Sequence, residues 1–154
     1  MTVIDQDPAV RRARVLRQRV AIDQLDYRRA VLRAADLKVT QDVLSASLGI
    51  SQPALSKMLR AADRTPQPRA GFTGADPYEI AQRYAVGELT RAQVLDELSR
   101  WDYAPGADRM DGYDSLVVSV PGSFDDVSRA YDEGLLDQDL YEEILVAASG
   151  VAGR

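Results

Sequence analysis

The sequence predicts a mostly α-helical chain in two parts. Residues 1–65 read as an N-terminal helical bundle, 66–76 as a linker, and 77–150 as a small acidic α(+β) domain of two helical hairpins and one short strand. Three observations predict this. Apolar residues recur at helical spacing in Thr40–Ala62 and at mixed three-, four- and five-residue spacing in the stretch before it. The breaks between these stretches carry helix-capping residues. One β-branched run, Leu116–Val120, is bounded by Gly112 and Pro121-Gly122, the pattern of a short strand.

The first element starts at Asp7-Pro8, with Asp as N-cap and Pro in the first turn. No Gly and no further Pro occur until past Ala35. Val10, Leu16, Val20, Leu25, Val31 and Leu32 supply apolar positions, and five Arg fall between Arg11 and Arg19. Two forms fit: one long helix, or two helices with a joint near Asp23. In either, Gln24–Ala35 must pack on the next two helices, because a two-helix unit cannot bury its own apolar faces.

Those helices lie in "TQDVLSASLGISQPALSKMLRAA", Thr40 to Ala62. Thr40 caps a short helix whose Val43, Leu44 and Leu48 face inward. Ser45 is small where a second helix crosses. Gly49 allows a sharp turn, and Ile50 fills the angle between the helices. Ser51 caps the second helix, and Pro53 fits a first turn that needs no N–H. Leu55, Met58 and Leu59 face inward, which leaves Gln52, Ser56, Lys57 and Arg60 outward. This is the pattern of a helix-turn-helix with polar and basic groups on the open face of its second helix.

The Pro- and Gly-rich stretch after it reads as the linker. Beyond it the chain echoes itself. "YAVGELTRAQVLDEL" from Tyr84 and "YDEGLLDQDLYEEIL" from Tyr131 align Gly87 with Gly134, Leu89 with Leu136, Thr90 with Asp137 and Leu98 with Leu145. Each copy reads as a helix ended by a left-handed Gly, then a capped second helix. Shared helix grammar or true duplication would both produce this echo. The strand Leu116–Val120 lies between the copies and needs a pairing partner. Arg100–Met110 reads as an ordered loop, since Trp101 and Tyr103 are too apolar to dangle.

Composition narrows the chemistry. The 154 residues contain no Cys and no His, which removes thiol nucleophiles, disulfides, Ser-His triads and the usual zinc ligands. No apolar run is long enough to cross a membrane, and the N-terminus lacks a secretory pattern, so a cytoplasmic protein is expected. The acid pairs Asp125-Asp126, Glu142-Glu143 and Asp137 with Asp139 could bind Mg²⁺ or act as acid and base. They fall at helix starts and on exposed faces, with no phosphate loop or nucleophile beside them. Neither enzyme activity, cofactor nor metal is expected. Net charge is −5, but residues 1–70 hold thirteen Lys/Arg and seven acids, a net of +6, and residues 71–154 hold six Arg and seventeen acids, a net of −11. One half suits a polyanion and the other a basic partner.

"TQDVLSASLGISQPALSKML" resembles the helix-turn-helix of the Cro/repressor-like bacterial regulators, with Ser45 in place of the more usual Ala. The resemblance is firm over some twenty residues. It implies that Gln52, Ser56 and Lys57 approach the major groove and that Gln41 contacts a phosphate. Gln suits an adenine edge, and Lys a guanine or a phosphate. Gln41, Ser51, Gln52, Ser56, Lys57 and Arg60 are therefore the candidate DNA-binding residues, on double-stranded operator DNA, with Arg11–Arg19 as possible additional phosphate contacts. A single such motif reads a half-site weakly, so a homodimer is expected. The layout of a basic head and a short acidic tail also resembles helix-turn-helix antitoxins of actinobacterial toxin–antitoxin modules. That resemblance implies a tail that binds a toxin while the head represses the operon. The alternative is a stand-alone or phage-type repressor whose C-terminal half serves dimerisation. Trp101, Tyr103, Tyr113 and Phe124, interleaved with acids, are the candidate partner-binding residues; equally they suit the small domain's own core.

Overall fold

The computed structural model describes residues 7–105 and 120–152. Among these the chain is mostly helical, as the sequence predicts, with seven helices and no sheet: α1 (Pro8–Asp36), α2 (Gln41–Leu48), α3 (Gln52–Asp63), α4 (Pro77–Ala85), α5 (Arg91–Arg100), α6 (Asp125–Asp132) and α7 (Gln138–Ala152). Of the expected strand, all but Val120 lies outside the described residues, and Val120 is irregular. The β pairing among the described residues is an isolated parallel bridge between Ala104 and Ser123. No described helix is long and apolar enough to cross a membrane.

Of the two forms open for the first element, the unbroken one is adopted. α1 runs 29 residues, and Asp7 starts it by accepting the Ala9 N–H at 2.7 Å. Its Ala, Arg and Leu content favours helix, and nothing in it breaks one.

The chain forms two compact units, Arg19–Gln67 and the described residues up to Gln18 with those from Pro68 onward. This differs from the sequence-based expectation in two places. The first turns of α1 belong with the acidic unit: the Gln82 side chain donates to Gln18 at 3.0 Å, and the Arg14 guanidinium lies against Gly134. Residues 68–76 are also part of that unit and no linker. Phe72 packs edge-on against Trp101 at 4.7 Å, the Thr73 N–H and hydroxyl both donate to Glu97, and Arg69 N–H donates to Gly74 C=O. A Cβ on Gly74 would meet the Ile80 backbone nitrogen at 3.1 Å, so this glycine permits the close approach to α4.

In Arg19–Gln67, Val31 of α1, Leu44 of α2 and Leu55 of α3 form the core, with Ala34, Leu48, Ile50, Met58 and Leu59 against it. The segment Gln24–Ala35 thus packs on the α2–α3 pair, as its apolar face requires. The Arg29 guanidinium donates twice to Pro66 C=O, at 3.1 and 2.6 Å, and ties α1 to the chain leaving α3. Val43 is a correction: it is 60% exposed, and Leu44 with Ser45 occupies the inner face of α2 instead.

In the acidic unit, hairpins α4–α5 and α6–α7 pack like on like, α4 against α6 and α5 against α7. Ile80, Val94, Leu98, Trp101, Val127, Leu140 and Ile144 are its core. The two hairpin turns close identically. Gly87 N–H bonds Tyr84 C=O at 3.0 Å and Glu88 N–H bonds Arg83 C=O at 2.9 Å; Gly134 to Tyr131 and Leu135 to Ala130 repeat both bonds at the same lengths. Gly87 and Gly134 have φ of 87° and 78°, where an L side chain is strained. Thr90 and Asp137 cap the second helices, accepting from Gln93 and Leu140.

The correspondence reaches further upstream than the sequence echo. Buried Glu79 accepts the Ala75 N–H at 2.8 Å; buried Asp126, its equivalent, accepts the Gly122 N–H at 2.8 Å. Arg83 neutralises Glu79, but Ala130 stands at the matching place beside Asp126. Burial accordingly pushes the Asp126 carboxyl above its ordinary value, against the Gly122 N–H that favours the charge. The folded chain therefore holds this proton more tightly than the unfolded chain does. Stability falls as pH rises from the unfolded value toward the folded one, and stays lowered above both. Asp126→Asn keeps an acceptor for Gly122 without the charge. We expect it to melt higher than the parent near about pH 7 and to lose that advantage near about pH 3; equal melting at both would mean the carboxylate is well solvated.

Candidate nucleic-acid interface

Three residues join α2 to α3, and each is fixed by local chemistry. Gly49 takes φ 69°, and its N–H reaches Ala46 C=O. Ile50 N–H bonds Ser45 C=O at 3.1 Å while its side chain packs on the core. Ser51 accepts the Ala54 N–H at 3.2 Å and so caps α3, with Pro53 in the first turn. Thr40 caps α2 in the same way through Val43 N–H. Ser45 is 5% exposed, and its hydroxyl donates to Asp42 C=O, which satisfies a polar atom buried where Ala would carry none.

Gln41, Ser51 and Gln52 stand at the starts of these two helices, and Ser56, Lys57 and Arg60 follow along α3. Gln41, Ser51, Gln52, Lys57 and Arg60 are exposed, and Ser56 is half-buried. Ser56 Oγ donates to Gln41 Oε1 at 3.3 Å, and Gln52 Nε2 donates to Asp42. Each of these cross-links joins a first-turn residue of α2 to a residue of α3. Gln52, Ser56 and Arg60 occur at four-residue spacing along one face of α3. Ser51 uses its hydroxyl as a cap, so its contribution to a ligand would come from the helix N-terminus it completes.

Three participants are not evident in the sequence. Asp42 orients the Gln52 amide. Tyr27 and Arg28 of α1 line a shallow groove of about 360 Å³ together with Lys57 and Met58 of α3. The Arg28-Arg29 pair is a visible basic signal, but which of the two reaches α3 is a tertiary matter. The charge of this unit is also more modest than the halves of the chain imply. Arg19–Gln67 holds eight Lys/Arg and five acids, a net of +3, because the Arg-rich start of α1 belongs to the other unit.

Of the aromatic residues expected to form a partner surface, the three described ones pack in the acidic unit's core, Trp101 buried and Tyr103 and Phe124 half-buried. Trp101 is 7% exposed, between Phe72 and the Arg69 guanidinium. Tyr103 donates its hydroxyl to Leu98 C=O, packs edge-on against Phe124 at 5.2 Å, and its phenol is pushed well up by burial. Phe124 contacts Tyr141 in turn. These three stiffen the acidic unit's core, and Tyr113 lies outside the described residues. The acid pairs also have local work. Asp137 caps α7, Asp125 accepts Val120 N–H, and Glu143 pairs with Arg91.

No protein-family model matches the chain, and neither a curated protein nor a solved structure is significantly similar to it.

Proposed function

We propose that α2 and α3 are a helix-turn-helix, that α3 reads operator DNA in the major groove, and that the protein is a sequence-specific transcriptional repressor. The observation that carries this is the double cap around Gly49, which sets Gln52, Ser56, Lys57 and Arg60 on the open side of α3 with Gln41 beside Ser56. A Gln amide offers the donor and acceptor pair that adenine requires, and the two cations suit guanine or phosphate. The protein acts as a homodimer, since one such head spans one half-site. The acidic unit binds a protein, which fits the antitoxin of a toxin–antitoxin operon. It is not an enzyme and takes no cofactor.

The test is fluorescence anisotropy of the full-length protein on a duplex from its own promoter and on a scrambled duplex, across a salt series. The promoter duplex is expected to bind at least about 10³-fold more tightly. Equal affinity for the two duplexes, or no binding, would overturn the reading. Co-expression with the adjacent gene product separates the two roles of the acidic unit. A stoichiometric complex with a product toxic on its own supports the antitoxin role, and a homodimer that binds the duplex unaided supports a plain repressor.

A further inference from the structure

Among the described residues, the acidic unit has an open groove of about 700 Å³ between α5 and α7, with an apolar floor and a charged rim. Leu95 and Ala147 line it half-buried, and Val146 stands beside them 72% exposed. Ser99 Oγ, also in its lining, is buried and has no hydrogen-bond partner among the described residues. A buried hydroxyl without a partner costs stability, and a ligand group that bonds it recovers that cost.

The charge around the groove says what kind of cover fits. Glu142 and Glu143 stand one turn beyond Asp139 on α7 and one turn before Val146, on the same face. From across the groove, the Arg91 guanidinium bonds Glu143, so this rim already takes one cationic side chain from the chain itself. A second copy presenting the same face would set carboxylates against carboxylates, which opposes association. A helix with Leu or Val along one stripe and Arg or Lys beside it would match both floor and rim.

We infer that the α5–α7 groove is the docking site for a cationic amphipathic helix of a partner protein. The inference rests on the reading of the acidic unit as the partner-binding half, and it places that surface on α5 and α7 rather than on Trp101, Tyr103 and Phe124.

Two labelled peptides of one composition test it against the full-length protein. Each has about 18 residues, or five helical turns, of Leu, Ala and Arg. In one, Leu and Arg segregate onto two helix faces; in the other, the order is scrambled. The segregated peptide is expected to bind at least about tenfold more tightly, and Glu142→Lys and Val146→Asp are each expected to weaken it about tenfold. Both positions are solvent-exposed, so the variants should fold. Equal binding of the two peptides would mean diffuse attraction to an acidic surface, and absence of binding or indifference to both variants would place docking elsewhere; each overturns the inference. Parent-protein dimers in sedimentation that Val146→Asp dissolves would assign the groove to a second copy and overturn it too. Promoter-duplex affinity measured on the same variants keeps the two readings apart, since a failed peptide result leaves the DNA result standing.

Discussion

Arg83→Ala is expected to lower folding stability by about 3–5 kcal/mol. Glu79 is 4% exposed and Arg83 7%. The guanidinium donates to Glu79 Oε1 from Nε at 3.1 Å and from Nη2 at 2.8 Å, and its Nη1 reaches Glu88 at 2.7 Å. Removing the cation leaves a buried carboxylate with the Ala75 N–H and without its counter-ion. The Glu88 contact adds little, because that carboxylate is partly hydrated. Since whole domains are stable by about 5–15 kcal/mol, urea midpoints should fall severely. Adding Glu79→Gln to Arg83→Ala should recover part of the loss, since an amide needs no counter-ion and still accepts from Ala75. A loss below about 1 kcal/mol, or no recovery in the double variant, would show that Glu79 is hydrated or takes up a proton.

How far the sequence can be read depends on the range of the interactions involved. Caps and turns are legible because a few adjacent residues decide them. Thr40 starts α2, Gly49 and Ser51 close the α2–α3 turn by local bonds, and Gly87 and Gly134 end their helices wherever those helices pack. Facing is less legible. α2 has only eight residues, and its crossing with α1 and α3 decides whether Val43 or Leu44 turns inward. The echo pairs Leu98 with Leu145, yet Leu98 is fully buried and Leu145 is 41% exposed, because α7 turns Ile144 inward instead.

Unit boundaries are hidden for a related reason. Pro and Gly mark residues 68–76 as irregular, but Phe72 and Thr73 show that irregular chain can still be packed chain. Chemical likeness without identity conceals the full repeat. Asp76 corresponds to Ser123 and Glu79 to Asp126, pairs that share a role in starting a helix and share no letter. The candidate DNA face is legible as a set of side chains. The bonds that hold it, Gln41 to Ser56 and Gln52 to Asp42, join residues fifteen and ten apart and depend on the packed geometry.

Those bonds bear on the expected result for Gln52→Ala combined with Lys57→Ala. On the DNA-binding reading, each removes a contact worth about 1–3 kcal/mol if it touches a base. The pair should therefore cost the promoter duplex roughly 2–6 kcal/mol, or about 30-fold to 10⁴-fold in affinity. Both residues are exposed, and neither belongs to the Val31–Leu44–Leu55 core, so melting should stay within about 0.5 kcal/mol of the parent. Asp42 complicates the sum. With the Gln52 amide gone, its carboxylate is left facing the DNA, and that repulsion enlarges the loss at every sequence. Asp42→Asn in the same background should restore this part alone, with less gain at high salt. The salt series separates the remaining roles. A base contact changes the ratio of promoter to scrambled affinity, and a phosphate contact lowers both together and reduces the salt slope by about 1. If the double variant binds the promoter duplex as tightly as the parent does, α3 is not the recognition helix.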